Sequence, residues 1–241
     1  MKNFENILYA LYMPTSMTTS KCHFNENHSY GFKSEADNRF LNRIYTSDQL
    51  TEQQITTVET WYNQTPYTWW IDKSNSDAIN ILKQLGYKEL ATFPFMMLAI
   101  KNVPTIKIAP QITICDEQKI NEIEWATVVG NVYKNEVKDV LQFYRYLKNT
   151  FGDCVKRYML YINNIPASTA FITFNEQNVY LHYVATTEQL RSQGLATLLC
   201  NYILNNTKTS KQMYLFSSAQ GYPLYKKMGF EDVAQFVVFQ K

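Results

Sequence analysis

The chain has 241 residues, 46% hydrophobic and 18% charged, with a formal net charge of +2. That length holds one large domain or two small ones, and the composition is that of a globular protein with ample aromatic residues, 15%, for its cores. No dense Lys/Arg block argues for a nucleic-acid groove or an anionic membrane surface, and the most apolar run, "FPFMMLAI" (93–100), is too short to span a bilayer.

The start, "MKNFENILYALYMPTSMTTS", has an apolar stretch broken by polar residues and followed by no A-x-A-like site, which argues against a secretory signal. Helices are expected in "ENILYALYM", "QQITTVETWYNQ" and "DAINILKQLGY", and strands in "YTWWID" and "FPFMMLAI". Cys22, His23 and His28 in "CHFNENH" have no second cluster at a metal-ligand spacing, so no metal is expected. Cys22, Cys115, Cys154 and Cys200 are dispersed without a CxxC pair, the pattern of reduced cytoplasmic thiols.

"ILKQLGYKELATF" (81–93) is echoed by "LYKKMGFEDVAQF" (224–236), with Gly86 matching Gly229 and Ala91 matching Ala234 at one constant offset. Each reads as a helix end, a glycine C-cap and a strand, so the two halves are expected to repeat one plan. Between them "KNVPTIKIAPQ" (101–111), with Pro104 and Pro110, reads as a linker passing into a strand, "TIKIAPQITIC". That places domains at 1–103 and 104–241.

The second half begins with two amphipathic helices. Ile120, Ile123, Ala126, Val129 and Tyr133 share one helical face, and Val137, Val140, Leu141, Tyr144 and Leu147 share another, ending before Gly152. "KRYMLYI", "IPASTAFITF" and "VYLHYVAT" follow as hairpin-connected strands, turning at Asn163–Asn164 and at "NEQN". After "LRSQGLATLL" (190–199), Leu195, Leu198, Leu199 and Tyr202 set one buried helix face. "QMYLFSS", "PLYKKM" and "EDVAQFVVFQ" complete a β-α-α-β-β-β-α-β-α-β order, an α/β class with a mixed α+β sheet.

In that order, Arg191-Ser192-Gln193-Gly194-Leu195-Ala196 between the fourth strand and the next helix, together with the late "LYKKMGF", resembles the Gcn5-related N-acetyltransferase (GNAT) family. Its fingerprint there is Q/R-x-x-G-x-G/A, and the resemblance covers roughly residues 105–241. It implies a GNAT fold, two tandem GNAT-like domains, and acetyl-CoA as co-substrate with no metal. The physics of the loop agrees. The amides of Ser192 to Thr197 at a helix start would face a pyrophosphate, and Gly194 has no Cβ to collide with a phosphate oxygen. By the same resemblance Val184, Ala185 and Thr186 lie on a bulged strand and pair with the pantetheine amides.

The resemblance makes Tyr225 the general acid. A phenol of pKa about 10 stays protonated at neutral pH and can donate to the departing CoA thiolate. The family often has asparagine seven residues before that tyrosine and alanine four before; here Ser218 and Gly221 stand there, and a serine hydroxyl can still bond the cofactor. His182 is the candidate base on the slot strand, against the competing role of a hydrogen-bonded structural histidine. Trp125 and Tyr133 are candidates for the wall of the acceptor site, or ordinary core.

The first half has Asn75 and Ala78 in register but Leu82 in place of the tyrosine, and no R-x-x-G-x-G/A loop. It resembles a degenerate GNAT domain that kept the framework and lost the chemistry. The expected function is transfer of an acetyl group from acetyl-CoA to a primary amine of a small molecule or protein. Two alternatives stand beside it: a non-catalytic acyl-CoA-binding or interaction module, and an aminoacyl-tRNA-dependent transferase, against which the absent basic groove argues.

Overall fold

The computed structural model describes residues 4–12, 20–21, 23–34, 38–39, 41–101, 103 and 105–241. Its elements are α1 Phe4–Ala10, β1 His23–Glu26, β2 Ser29–Phe32, β3 Arg43–Thr46, α2 Glu52–Tyr62, β4 Thr68–Asp72, α3 Ser76–Gln84 and β5 Lys88–Ala99. Then come β6 Ile112–Asp116, α4 Glu122–Tyr133, α5 Val137–Phe151, β7 Val155–Ile162, β8 Ile165–Phe174, β9 Asn178–Thr186, α6 Leu195–Asn206, β10 Gln212–Phe216, α7 Tyr222–Lys227 and β11 Glu231–Gln240.

The chain divides into two compact units, Met1–Met96 with Phe216–Tyr225 and Glu231–Lys241, and Met97–Leu215 with Lys226–Phe230. A single cut at 103/104 does not describe this division. The chain crosses between units inside β5, and most of the last 26 residues belong with the first half. In the first unit β1, β2 and β3 are antiparallel neighbours, β3 runs parallel to β4, and β11 lies antiparallel to β4. Val237 and Phe239 of β11 pair with Ile71 and Trp69 and are buried in one core with Val58, Tyr62, Leu82 and Tyr87. The closing strand goes there because that core covers its apolar face.

"CHFNENH" proves to be turn chemistry. Asn27 and His28 both hold positive φ, +49° and +60°, as a type I′ hairpin turn requires, and they join β1 to β2. Cys22 lies outside the described residues, and among those described no group of three or more His, Cys, Asp or Glu side chains gathers. The echoed glycines share one conformation, φ +84° at Gly86 and +92° at Gly229, each after a helix and before a strand. Leu82 is fully buried, and Asn75 caps α3 by accepting from the Ala78 amide, so both serve the framework.

In the second unit β6, β7, β8 and β9 form antiparallel neighbours, and β10 lies parallel to β9. The hairpin at Asn163–Asn164 (φ +49° and +64°) matches its sequence signal. The expected strand over 105–115 shortens to β6, because Pro110 carries no donor for a ladder and the chain turns there, the Ile112 amide bonding the Ala109 carbonyl. α4 is rotated from its expected face. Trp125, Ala126, Val128 and Val129 are buried, while Ile123 is 64% exposed. α4 and α5 cover the sheet face carrying Phe171, on which Trp125, Phe143 and Tyr144 pack. Tyr202 of α6 packs on Tyr158, which alternation along β7 sends to the opposite face from Arg157. Among the described residues no helix is long and apolar enough to cross a membrane.

Phe239→Ala is expected to destabilise the protein by about 3–5 kcal/mol, the range for emptying a fully buried aromatic site. Urea denaturation of the full chain checks this; a loss under about 1 kcal/mol would mean that β11 is not integral to that core.

Candidate functional site

β9 departs from a regular strand where the slot was expected. Its ladder with β10 runs over Asn178–Tyr180 and Gln212–Tyr214, leaving Leu181 to Thr186 beyond that register. Against β8, Thr169 faces Ala185 and Phe171 faces His182, so β9 spends three steps where β8 spends two. The extra residue makes a bulge at Tyr183, whose φ is +48°. Holding a bulky L-residue there costs about 1–3 kcal/mol, which the surroundings must supply.

They supply rings. The Tyr183 ring stacks on Phe171 (centroids 5.6 Å apart, 19° between planes), meets Phe143 at 6.0 Å and takes Tyr133 edge-on at 4.9 Å. Beyond the bulge three successive carbonyls hold side-chain donors. Tyr133 Oη–H donates to Val184 at 2.9 Å, Ser168 Oγ–H to Ala185 at 2.9 Å, and Arg191 Nε–H to Thr186 at 3.2 Å. Arg191 thus ties the loop back to the strand with one of its five donors.

The loop then turns through Ser192 (φ +62°) and Gly194 (φ +77°, ψ +5°) into α6. The first helical bond runs from the Leu198 amide to the Gly194 carbonyl at 2.9 Å, so the amides of Leu195, Ala196 and Thr197 have no partner within their helix. A Cβ added at Gly194 would meet nothing within 4 Å. The chain's own packing leaves that space open, and only the backbone conformation demands glycine. Ser192, Gln193 and Gly194 are exposed, Arg191, Ala196 and Thr197 half-buried, and Leu195 is buried as the first apolar contact of α6.

A cavity of about 260 Å³ opens beside Thr197, lined among others by Lys101, Asn201, Leu204 and Lys227. Thr197, Asn201 and Leu204 recur at i, i+4 and i+7, one face of α6. Sequence reasoning missed Lys101, Asn201 and Lys227. Lys227, two residues past Tyr225 in "LYKKMGF", carried a usable signal; Lys101 in the connecting segment carried none.

His182 is 9% exposed, its Nε2 is 2.9 Å from Thr173 Oγ1, and its ring stacks on Phe171 at 4.8 Å. These are the contacts of an oriented, packed histidine. Beneath the same rings Glu117 receives four hydrogen bonds: Arg157 Nη2 at 2.9 Å, Arg157 Nε at 3.2 Å, the Arg157 amide at 2.8 Å and the Tyr144 hydroxyl at 2.6 Å. Burial pushes the Glu117 carboxyl upward, but the Arg157 and Tyr144 hydrogen bonds outweigh it and hold the pKa below its ordinary value. Burial also pushes the Cys200 thiol up to about 12, which removes it as a nucleophile near neutral pH. Cys115, Cys154 and Cys200 are free thiols.

Tyr225 and Ser218 belong to the first unit, β9 and its loop to the second. Tyr225 is 7% exposed on α7. A Cβ at Gly221 would meet Tyr225 Cε2 at 2.9 Å, so glycine rather than alanine lets the ring lie where it does. Ser218 Oγ accepts from the Gly221 amide at 3.1 Å, capping the turn into α7.

The family model described as an acetyltransferase (GNAT) domain matches residues 141–240, from α5 to the end of β11. No curated protein matches the chain. Among solved structures, a GCN5-related N-acetyltransferase from Kribbella flavida is similar over 100% of this chain and 94% of its own, with 12% identity and a TM-score of 0.67. A second from Sphaerobacter thermophilus is similar over 89% and 76%, with 13% identity and a TM-score of 0.65. A tandem GNAT protein from the clavulanic acid biosynthesis pathway covers 88% and 78%, with 12% identity and a TM-score of 0.57. At these identities the likeness is one of fold.

Because the folded pKa of Glu117 lies below the unfolded one, its contribution to stability is full above the unfolded value and is lost as pH falls through the folded value. Glu117→Gln, which leaves Arg157 buried and without its counter-charge, is expected to cost about 3 kcal/mol at pH 7. Urea denaturation should find this deficit shrinking as pH falls below the ordinary glutamate pKa of about 4.3; a deficit that is constant with pH would show that charge is not its source.

Proposed function

Since residues 141–240 match the GNAT acetyltransferase domain model, we propose that the chain is an acetyl-CoA-dependent N-acetyltransferase acting on a primary amine of a small molecule or protein. The assignment rests on one observation. A bulged strand and a positive-φ turn follow each other within a dozen residues, ending in a helix start where a side chain added to Gly194 would meet nothing within 4 Å.

The amides of Leu195 to Thr197, with the positive end of the α6 dipole, hold the pyrophosphate. Ser192 and Gln193 shape the approach, and Arg191 supplies a positive charge while tying the loop to β9. Lys101 and Lys227 at the adjoining cavity add cationic donors for the nucleotide's remaining phosphate. Val184, Ala185 and Thr186 offer strand backbone to the pantetheine arm.

The acceptor nitrogen attacks the thioester carbonyl, a tetrahedral intermediate forms, and the C–S bond breaks to release the CoA thiolate. Tyr225 stands where the family carries its tyrosine and gives that sulfur its proton. Ser218 keeps a hydroxyl proton for the cofactor while its oxygen caps α7. The amine must lose a proton before attack, and the contacts of His182 with Thr173 and Phe171 favour its structural role, so no step is given to it. The first half serves as a framework, and the protein works in the cytoplasm, where free thiols stay reduced.

Gly194→Glu puts a carboxylate in the phosphate space and a side chain at positive φ. The free variant should melt a few degrees lower, and its acetyl-CoA-induced rise in Tm should vanish. An undiminished rise would remove the pyrophosphate assignment.

Tyr225→Phe keeps the ring and its packing. A screen of amines with acetyl-CoA, read by thiol release, first supplies an acceptor. On that acceptor kcat should then fall by about 10²-fold with acetyl-CoA affinity unchanged, the low end for losing a general acid because water partly replaces it. Wild-type turnover with chemistry rate-limiting would make Tyr225 core only. Tight acetyl-CoA binding with no reactive amine would favour the non-catalytic binding module.

A further inference from the structure

The bulge in β9 has two dedicated supports, and neither lies in the loop fingerprint. Tyr183 adopts φ +48°, a conformation a tyrosine keeps only when its surroundings impose it. Its ring is fixed on three sides, by Phe171 from the sheet, Phe143 from α5 and Tyr133 from α4. The next residue, Val184, has its carbonyl bonded by Tyr133 Oη–H at 2.9 Å. Because a peptide unit is planar, fixing that carbonyl fixes the whole link between Val184 and Ala185.

Tyr133 is itself held. It is the last residue of α4, Lys134 closes the helix at φ +60°, and the Asn135 carbonyl sits so close over Gly130 that a Cβ there would come within 2.7 Å of it. Tyr133 is 40% exposed overall, yet burial and the neighbouring Tyr183 phenol raise its pKa, so it stays a donor across the physiological range. A carbonyl has two lone pairs, so the Tyr133 bond orients Val184 and leaves a second acceptor position for a ligand amide.

We propose that Tyr133 and Tyr183 are positioning residues that hold the β9 bulge in the shape receiving the pantetheine arm, Tyr183 through its anchored ring and Tyr133 through the Val184 carbonyl. The proposal rests on the acetyl-CoA assignment and adds to it the reason that the strand is pre-shaped. Without these supports β9 relaxes toward a regular ladder and the outward backbone groups lose their spacing, while the helix start at Leu195, twelve residues beyond Tyr183, keeps the geometry set by the Gly194 turn and its bond from Leu198.

Calorimetric titration of the full chain with two ligands tests this: acetyl-CoA, and 3′-phospho-ADP, which has the phosphates but no pantetheine. In Tyr133→Phe, acetyl-CoA affinity should fall about three- to tenfold, the net worth of one hydrogen bond, with 3′-phospho-ADP affinity unchanged. Tyr183→Gly accepts the positive φ but has no ring, and should lose at least as much for acetyl-CoA and again nothing for 3′-phospho-ADP. Retained 3′-phospho-ADP binding also certifies that each variant is folded. Unchanged acetyl-CoA affinity in Tyr133→Phe overturns the proposal, as does tighter binding, which would make the tyrosine a competitor for the carbonyl. Equal losses for both ligands would reduce the two residues to general packing and likewise overturn it. A wild-type chain that binds neither ligand overturns the acetyl-CoA assignment itself.

Discussion

A tyrosine at positive φ inside a strand survives only where contacts outweigh its strain, and in the second unit those contacts meet at Phe171. Its buried ring touches Trp125, Phe143, Tyr144, His182 and Tyr183. Aromatic pairs contribute about 0.5–1.5 kcal/mol each beyond the area they bury, so the three rings around Tyr183 together are of the same order as a backbone cost of about 1–3 kcal/mol. The cluster is braced from below, because Arg157 lies over Tyr144 at 4.1 Å and over Trp125 at 5.5 Å while its charge is met by Glu117. Carboxylate, guanidinium, rings and bulge form one mechanical series. The bulged course of β9 is as much a product of α4 and α5 as of its own sequence.

The first unit solves a different problem. Its core needs a cover, and the chain supplies one from its far end, where β11 lays Val237 and Phe239 against Ile71 and Trp69. The last residue continues the theme. Lys241 Nζ bonds Glu59 at 2.6 Å, Glu59 accepts from Tyr87 at 2.8 Å, and Tyr87 exchanges a hydrogen bond with Tyr67 at 2.8 Å. Burial opposes the Glu59 charge, but Lys241 and Tyr87 hold its pKa below the ordinary value. These contacts, with Leu82 and Trp69 in the same core, stabilise the framework of the first unit.

Small side chains mark where the geometry is tight. Gly221 makes room for the Tyr225 ring, Gly130 for the turn that ends α4, and Gly194 supplies a backbone angle over open space. The first two are packing constraints that another side chain violates within its own unit. The third is a conformational constraint, because a side chain there would meet nothing but would have to adopt a positive φ.

The sequence by itself determined the elements whose signals are local. The hairpin at Asn163–Asn164 was legible because asparagine tolerates positive φ, and the ends of α5 and α6's apolar stripe because periodicity and glycine caps act within a few residues. The loop from Arg191 to Ala196 was legible for the same reason, since helix-start chemistry is contiguous. Tertiary structure alone decided the rest. The resemblance implied a bulge in this strand, but its place at Tyr183, the bond from Tyr133 to Val184 and the burial of His182 against Thr173 depend on residues 9 to 51 positions apart along the chain. The hairpin at Asn27–His28 was hidden because Asn-His lacks the glycine that usually marks a two-residue turn, and the positive φ of both residues appears only in the folded backbone. The partner of β11 was invisible for a general reason: strand periodicity says which face is apolar, but not which core will cover it.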